Sequence, residues 1–319
     1  MRLKLLAVLI FPLILFSTAL GAPSWVKKGL VAVYSAQMLS GYQGQRGPSG
    51  TAGFGDAIFV VEGFINGVPY GHFFLAATSS GGVFYQERAT LFKLPELSFY
   101  LEPKEVDQWL KERPPRNCRV LGKEGDITVE CVVNGEKSVL RLKYDRKGLI
   151  TYALTGAWQR GVNWQSLQAE YSLKAIKSLN LPAAQTPPEA LKPHTYSLYM
   201  VTPIGSSPLG ALQVTPVGNV GGLIKFTISL QGGSQEEAGT YLMGPHYINP
   251  ELLKREHIIS IPEAGFEIKK LGETPQGVAV GVFYGGQPVE ERVYDPKTGL
   301  LLRAKVPSVA GYTVITLTR

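Results

Sequence analysis

Histidine and cysteine are both scarce in this chain of 319 residues. There are four histidines, His72, His194, His246 and His257, and two cysteines, Cys118 and Cys131. No histidines stand at metal-ligand spacing, and neither an HExxH nor a GxSxG motif occurs, so a zincin helix and a nucleophile elbow are both excluded. No histidine neighbours the cysteines, which argues against a zinc site there. Charge is also thin, at 18% of residues, with a net charge of +7. Arg2 and Lys4 carry two of those charges, leaving +5 beyond residue 21, and the basic residues are scattered, with Lys27-Lys28 the one pair near that point. A nucleic-acid surface would need a stripe or patch, so no nucleic-acid partner is expected. No cofactor motif is present, and neither a cofactor nor a metal is expected. At 45% hydrophobic residues the chain still lies far from the disordered class.

Long apolar runs are missing everywhere except the beginning. Residues 1–21 read as a secretory signal: Arg2 and Lys4 supply the positive start, Leu5–Phe16 the apolar run broken by Pro12, and Ala19-Leu20-Gly21 the small residues a signal peptidase reads. A membrane anchor competes with this reading, but the run is short for a span. No cysteine lies near the cleavage point, which argues against bacterial lipidation. The mature chain is therefore expected to have no transmembrane segment and to be extracytoplasmic: periplasmic, secreted or at the cell surface.

What is present is a stretch that occurs twice. Leu271–Ala304 repeats the residues that begin at Leu121: Leu121-Gly122 matches Leu271-Gly272 and Tyr144-Asp145 matches Tyr294-Asp295, both at an offset of 150. Gly148-Leu149 matches Gly299-Leu300, and upstream Tyr100–Pro103 echoes Tyr247–Pro250. Within each copy the apolar residues alternate. Ile127, Val129, Cys131 and Val133 lead into Asn134-Gly135, and Val278, Val280, Val282 and Tyr284 lead into Gly285-Gly286. Period-two alternation around a pair that accepts positive φ predicts hairpins. The aspartates Asp145 and Asp295 recur inside turn sequences, which points to a turn role rather than acid–base chemistry. Pro103 and Pro250 each open a short helix just before the meander, with Asn249 as N-cap in the second copy. The first helix is expected from Pro103 to about Glu112.

The expected fold is mainly β, antiparallel sheets with short helices, in two related halves that each hold a curved meander and one short helix. The boundaries read as a signal at 1–21, a first β-rich domain at 22–180, a proline-rich linker at 181–193 and a second β-rich domain at 194–319. The linker has four prolines in thirteen residues and should be extended and stiff. Asn66-Gly67 marks a further hairpin. Ser40–Gly55 is rich in glycine and has no apolar period. It reads as a mobile surface loop or as a lid over a cleft, and not as a phosphate loop. Ser166–Leu179 reads as the last strand of the first half, matching Tyr312–Thr318, with a helix as the competing assignment.

Two cysteines in an exported chain are expected to pair. A turn near Lys123–Asp126 would set Cys118 opposite Cys131, and the second copy aligns Ile268 and Gly281 with them, one large and one small. Trp109, Trp158, Trp164 and Tyr171 gather in the first half without counterparts in the second. They read either as core or as the lining of an aromatic pocket for an apolar or sugar ligand.

The order strand, tight turn, strand, Tyr-Asp turn, Gly-Leu, strand resembles the meanders of extracytoplasmic lipoprotein-carrier proteins, over about forty residues per half. The first copy departs from it by one residue at Tyr144–Leu149. The resemblance implies a curved antiparallel sheet whose concave face holds acyl chains beneath a helix; no functional residue carries over. The leading expectation is thus a non-catalytic binding or carrier protein for a hydrophobic small molecule or lipid. The alternatives are a cell-surface structural or protein-interaction module with a protein partner and no ligand, and a hydrolase. A ligand site is expected in the first half, between the sheet, the helix from Pro103, with Trp109 facing the cavity, and Ser40–Gly55.

Overall fold

The fold is taken from a computed structural model, which describes residues 21–44, 47–80, 82–93, 97–101, 117–133, 136–159, 164–308 and 311–318. The first sheet holds β1 (Leu30–Gly44), β2 (Gly47–Ile65), β3 (Val68–Ser79), β4 (Gly82–Leu91), β5 (Cys118–Lys123), β6 (Asp126–Val133), β7 (Glu136–Tyr144), β8 (Ile150–Gln159) and β9 (Trp164–Ser178). Their order across the sheet is β4-β3-β2-β1-β9-β8-β7-β6-β5. The chain then forms β10 (His194–Thr202), β11 (Gly205–Val220), β12 (Leu223–Leu230) and β13 (Gly233–Gly239). A small ribbon of β14 (Met243–Gly244) and β15 (Tyr247–Ile248) precedes the helix α1 (Pro250–Leu253). After it come β16 (His257–Ile261), β17 (Phe266–Thr274), β18 (Gly277–Tyr284), β19 (Gln287–Tyr294), β20 (Leu301–Ser308) and β21 (Gly311–Thr318). The second sheet runs β13-β12-β11-β10-β21-β20-β19-β18-β17-β16.

The two orders are the same walk, with β16 added at one edge of the second sheet. Each half opens with a four-strand meander, β1–β4 or β10–β13, and continues with a second, β5–β9 or β16–β21, whose last strand closes back onto the first strand of that half, β9 on β1 and β21 on β10. Even an irregularity recurs: the register shifts between Lys143 and Tyr144 on β7, and between Val293 and Tyr294 on β19. The halves are thus related, as the offset of 150 predicts, and Ser166–Leu179 falls on a strand rather than a helix.

The turns follow their residues. Asn66 and Gly67 have φ of 51° and 82°, and Gly285 and Gly286 have 57° and 77°, the paired positive values of a type I′ hairpin. Asp145 Oδ1 accepts from the backbone N–H groups of Lys147 and Leu149 at 2.8 and 2.9 Å, and Asp295 Oδ1 from those of Lys297 and Thr298 at 2.8 and 3.0 Å. Both aspartates therefore do the work of turns. Asn249 caps α1 by accepting from the Glu251 N–H at 3.0 Å. Its counterpart, the helix expected from Pro103 with Trp109, lies outside the described residues.

Three expectations need revision or completion. Ser40–Gly55 is not a loop over its described length: β1 and β2 pair without a break from Val31↔Val60 to Gly44↔Gly47. Glycine reads as loop in sequence, but here it lets strands crowd together; a Cβ on Gly55 would meet the Ala76 carbonyl oxygen at 2.0 Å. The lid reading falls with the loop. Second, Cys118 lies opposite Cys131 and is disulfide-bonded to it, as expected. The matched volume pair in the second copy does not exist, because Ile268 faces Val282 while Gly281 faces Lys269. The β17–β18 hairpin reaches further before turning, so an alignment carried in from β19 slips there. Third, 181–193 is no free tether. It is extended, with one 3-10 turn at Pro188–Leu191, and Ala190 is fully buried. His246 Nε2 hydrogen-bonds the Ala190 carbonyl at 3.2 Å, and Asn249 donates to that of Gln185 at 3.2 Å.

The core explains how the sheets meet. β1, β2 and β3 are buried on both faces over 30–34, 56–62 and 68–77, and these parts read as near-continuous apolar runs. Val31, Val33, Ile58, Val60, Phe74 and Ala76 join a cluster that includes Tyr196, Phe226, Phe266, Val280 and Val282 of the second sheet. The alternate residues, Ala32, Tyr34, Ala57, Phe59, Phe73 and Leu75, pack with Val26, Phe92 and Phe99 on the other side. The second sheet thus takes the back of the first into its own core.

Candidate functional site

The expected site residues can now be placed. Trp158 and Trp164 lie on β8 and β9, where Trp158 pairs with Lys137 and Ser166 and Trp164 pairs with Gln43. Tyr171 falls in the other alternation, opposite Ala36 and Ala153. Trp109 lies outside the described residues, so three of the four can be placed, and register sets Tyr171 apart from the two tryptophans.

The alternation that holds Tyr171 defines the inner face of the first sheet. It runs through Ile127 and Val129 on β6, Leu140 and Leu142 on β7, Ala153 and Thr155 on β8, Ala169, Tyr171 and Leu173 on β9, and Ala36 and Met38 on β1. No charged residue stands in this set. The opposite alternation of the same strands carries Glu130, Arg141, Lys143 and Glu170. One end of the inner face is sealed by aromatic rings: Phe59 stands 5.5 Å from both Phe92 and Phe99, and Tyr34 donates to the Ile150 carbonyl at 2.6 Å. Beside that plug Leu101, Ile127, Leu142, Tyr144 and Ile150 form a tight cluster. Around these clusters Met38, Leu140, Ala153, Thr155, Tyr171 and Leu173 are only half-buried; Met38, Tyr171 and Leu173 pack against the aromatic plug, and Leu140 and Ala153 against the smaller cluster. Burial pushes the Tyr171 hydroxyl up to about 12.

The second sheet differs at this point. Its inner face is filled: Ile268, Val280, Val282, Ala304, Tyr196 and Phe226 are all at most 2% exposed. The filling comes from the first half, with Phe74 5.1 Å and Tyr85 6.0 Å from Phe266. At the offset of 150, Glu290 and Arg292 replace Leu140 and Leu142.

Those two residues belong to a charged seam between the sheets. Glu62 and His72 are 1% and 2% exposed, and His72 Nδ1 lies 2.5 Å from Glu62 Oε1. Thr240 of the second half donates to the other Glu62 oxygen. His72 Nε2 lies 3.6 Å from Glu87, which accepts from Tyr85 at 2.9 Å and from Arg292 at 3.0 Å. Arg292 in turn holds Glu290 through two nitrogens, at 2.9 and 2.8 Å. Burial alone would lower the His72 pKa, but the Glu62 carboxylate raises it above the ordinary imidazole value. Burial would raise Glu87, yet Arg292 and His72 hold it below the ordinary carboxylate range. These charges satisfy one another in a closed space, which is the chemistry of a clasp between sheets. Nothing in the sequence marked it, because Glu62, Glu87 and Glu290 occupy strands of ordinary alternation. The remaining buried histidine, His246, is pushed down to about 3 by burial and by His194, whose ring is 5.4 Å away. Among the described residues no group of three or more His, Cys, Asp or Glu could hold a metal ion, and no helix is long and apolar enough to cross a membrane.

No family model matches the chain, and no curated protein matches it. Solved structures similar to it include a protein of unknown function from the DUF3598 family of Nostoc punctiforme, 13% identical, over 90% of this chain and 95% of that one, with a TM-score of 0.17. Another is a protein assigned as AttH from Nitrosomonas europaea, 10% identical, over 89% and 92%, at 0.18. A third is the DNA polymerase III β subunit of Pseudomonas aeruginosa, 9% identical, over 93% of each chain, at 0.10. Likeness at such scores carries no weight for function.

Proposed function

We propose that this is an extracytoplasmic, non-catalytic binding or carrier protein for a hydrophobic, lipid-like ligand, held on the inner face of the first sheet. One observation carries the reading. The two halves share a strand order, yet the inner face of one is filled by its neighbour while that of the other, along β1 and β6–β9, presents half-buried apolar residues around its aromatic plug with no lysine or arginine among the described side chains. A concave apolar face bearing a few polar atoms is the usual form of a small-molecule site. The disulfide suits an oxidising compartment. Native mass spectrometry of the purified protein is expected to show a co-purified lipid adduct, which organic extraction removes and added lipid restores. Absence of an adduct, together with no uptake of an apolar fluorophore, overturns the reading. The interaction-module reading has one observation in its favour: Ile204, at the tip of the β10–β11 hairpin, is 98% exposed. It moves ahead if the lipid experiments fail.

A further inference from the structure

The same inner face also restricts the kind of lipid. We infer that the first sheet holds an uncharged lipid carrying a hydroxyl or carbonyl group, which hydrogen-bonds Thr155 inside the apolar face. This inference rests on the proposed carrier function and goes beyond it by naming the ligand class and its polar anchor.

Two independent observations lead there. The first is the lack of charge. Across β6, β7, β8, β9 and β1 the inner alternation offers Val129, Leu140, Ala153, Ala169, Tyr171, Ala36 and Met38, and no Lys or Arg among the described side chains. A carboxylate or phosphate drawn onto this face would lose its hydration with no cation to replace it, which is prohibitive for an ion. The charged counterparts, Glu290 and Arg292, exist in the second half and are engaged in the seam. The second observation is Thr155. Its Oγ1 is buried and has no hydrogen-bond partner. An unsatisfied buried hydroxyl costs about 1–3 kcal/mol, and a ligand that supplies the partner recovers part of this. Thr155 stands opposite Ala169, which is fully buried, and Leu140. Tyr171 lies diagonally across on β9, opposite Ala153, so both hydroxyl side chains belong to the half-buried part of the face.

Tyr144 provides the contrast. Its hydroxyl is also buried and unpartnered, but it lies in the tight cluster with Leu101, Ile127, Leu142 and Ile150 beside the plug. That cluster is packed, so Tyr144 serves as the control position.

The test uses the full chain loaded with the apolar fluorophore N-phenyl-1-naphthylamine and displaced at pH 8 by hexadecanol or hexadecanoate, which have equal chain lengths. Hexadecanol is expected to displace the fluorophore at concentrations about tenfold lower than hexadecanoate. Thr155→Val is expected to weaken hexadecanol about five- to tenfold, the value of one hydrogen bond, and to leave hexadecanoate unchanged. Tyr144→Phe is expected to change neither. If hexadecanoate binds as well as hexadecanol, or if Thr155→Val leaves the preference intact while fluorophore uptake persists, the inference is overturned and the carrier function stands. If the fluorophore does not bind at all, both are overturned.

Discussion

At the scale of single residues, the clearest energetics belong to the seam. Removing one partner of a buried, hydrogen-bonded charge pair strands the other, typically at a cost of 3–5 kcal/mol. His72→Leu would leave Glu62 with Thr240 as its main side-chain partner, and urea unfolding is expected to show a loss of about that size. The pH dependence follows from the directions of the shifts. Because the folded-state pKa of His72 is raised, its contribution is complete below the ordinary imidazole value and is lost as pH rises through the folded one. Because that of Glu87 is lowered, its contribution is present above the ordinary carboxylate value and is lost as pH falls through the folded one. Stability should therefore peak in mildly acidic solution, and in His72→Leu the decline on the alkaline side should shrink. A wild-type curve still rising through neutral pH would contradict this assignment. Of these residues the sequence disclosed little, since pairing across 178 positions, as between Glu62 and Thr240, leaves no local pattern. Asp145 and Asp295 were legible because a turn is written in adjacent residues.

At the scale of elements, strand identity was legible wherever alternation was clean, as in Ile127–Val133 and Val278–Tyr284, and wherever a positive-φ pair such as Asn66-Gly67 marked the reversal. It failed at Ser40–Gly55, where glycine replaces the apolar residues that would have shown a period. The arm formed there pairs with β9 through Ser40↔Leu167 and with β3 through Gly55↔Ala77, so it is part of the sheet. Replacing Ser40–Gly55 with a short linker is therefore expected to destabilise the protein by at least about 2 kcal/mol, by loss of ladder bonds and side-chain packing. An unchanged thermal midpoint would return the segment to the status of a loop. The inner face, by contrast, was half-legible: Tyr171 was visible as an unmatched aromatic, whereas Thr155 could be found only once β8 was set in register between β7 and β9.

At the scale of the whole molecule, the duplication was readable from the recurring Leu-Gly and Tyr-Asp pairs, but the way the copies nest was not. Val31, Val33, Ile58, Val60 and Phe74 belong by sequence to the first half and by packing to a cluster built largely from the second. Burying a side chain of this kind contributes roughly 1.5–3 kcal/mol, so either half alone would expose more apolar surface than it could withstand. Residues 22–193 and 194–319, expressed as separate chains, are expected to be insoluble singly and to co-purify as a stable pair when produced together; two well-behaved monomers would argue against the shared core. The nesting also bears on stoichiometry. A duplicated binder would ordinarily offer two seats and the avidity that comes with them. Here the inner face of the second sheet already has a permanent occupant, its own sibling sheet, so titration with any lipid should end at one equivalent per chain and follow a simple hyperbola.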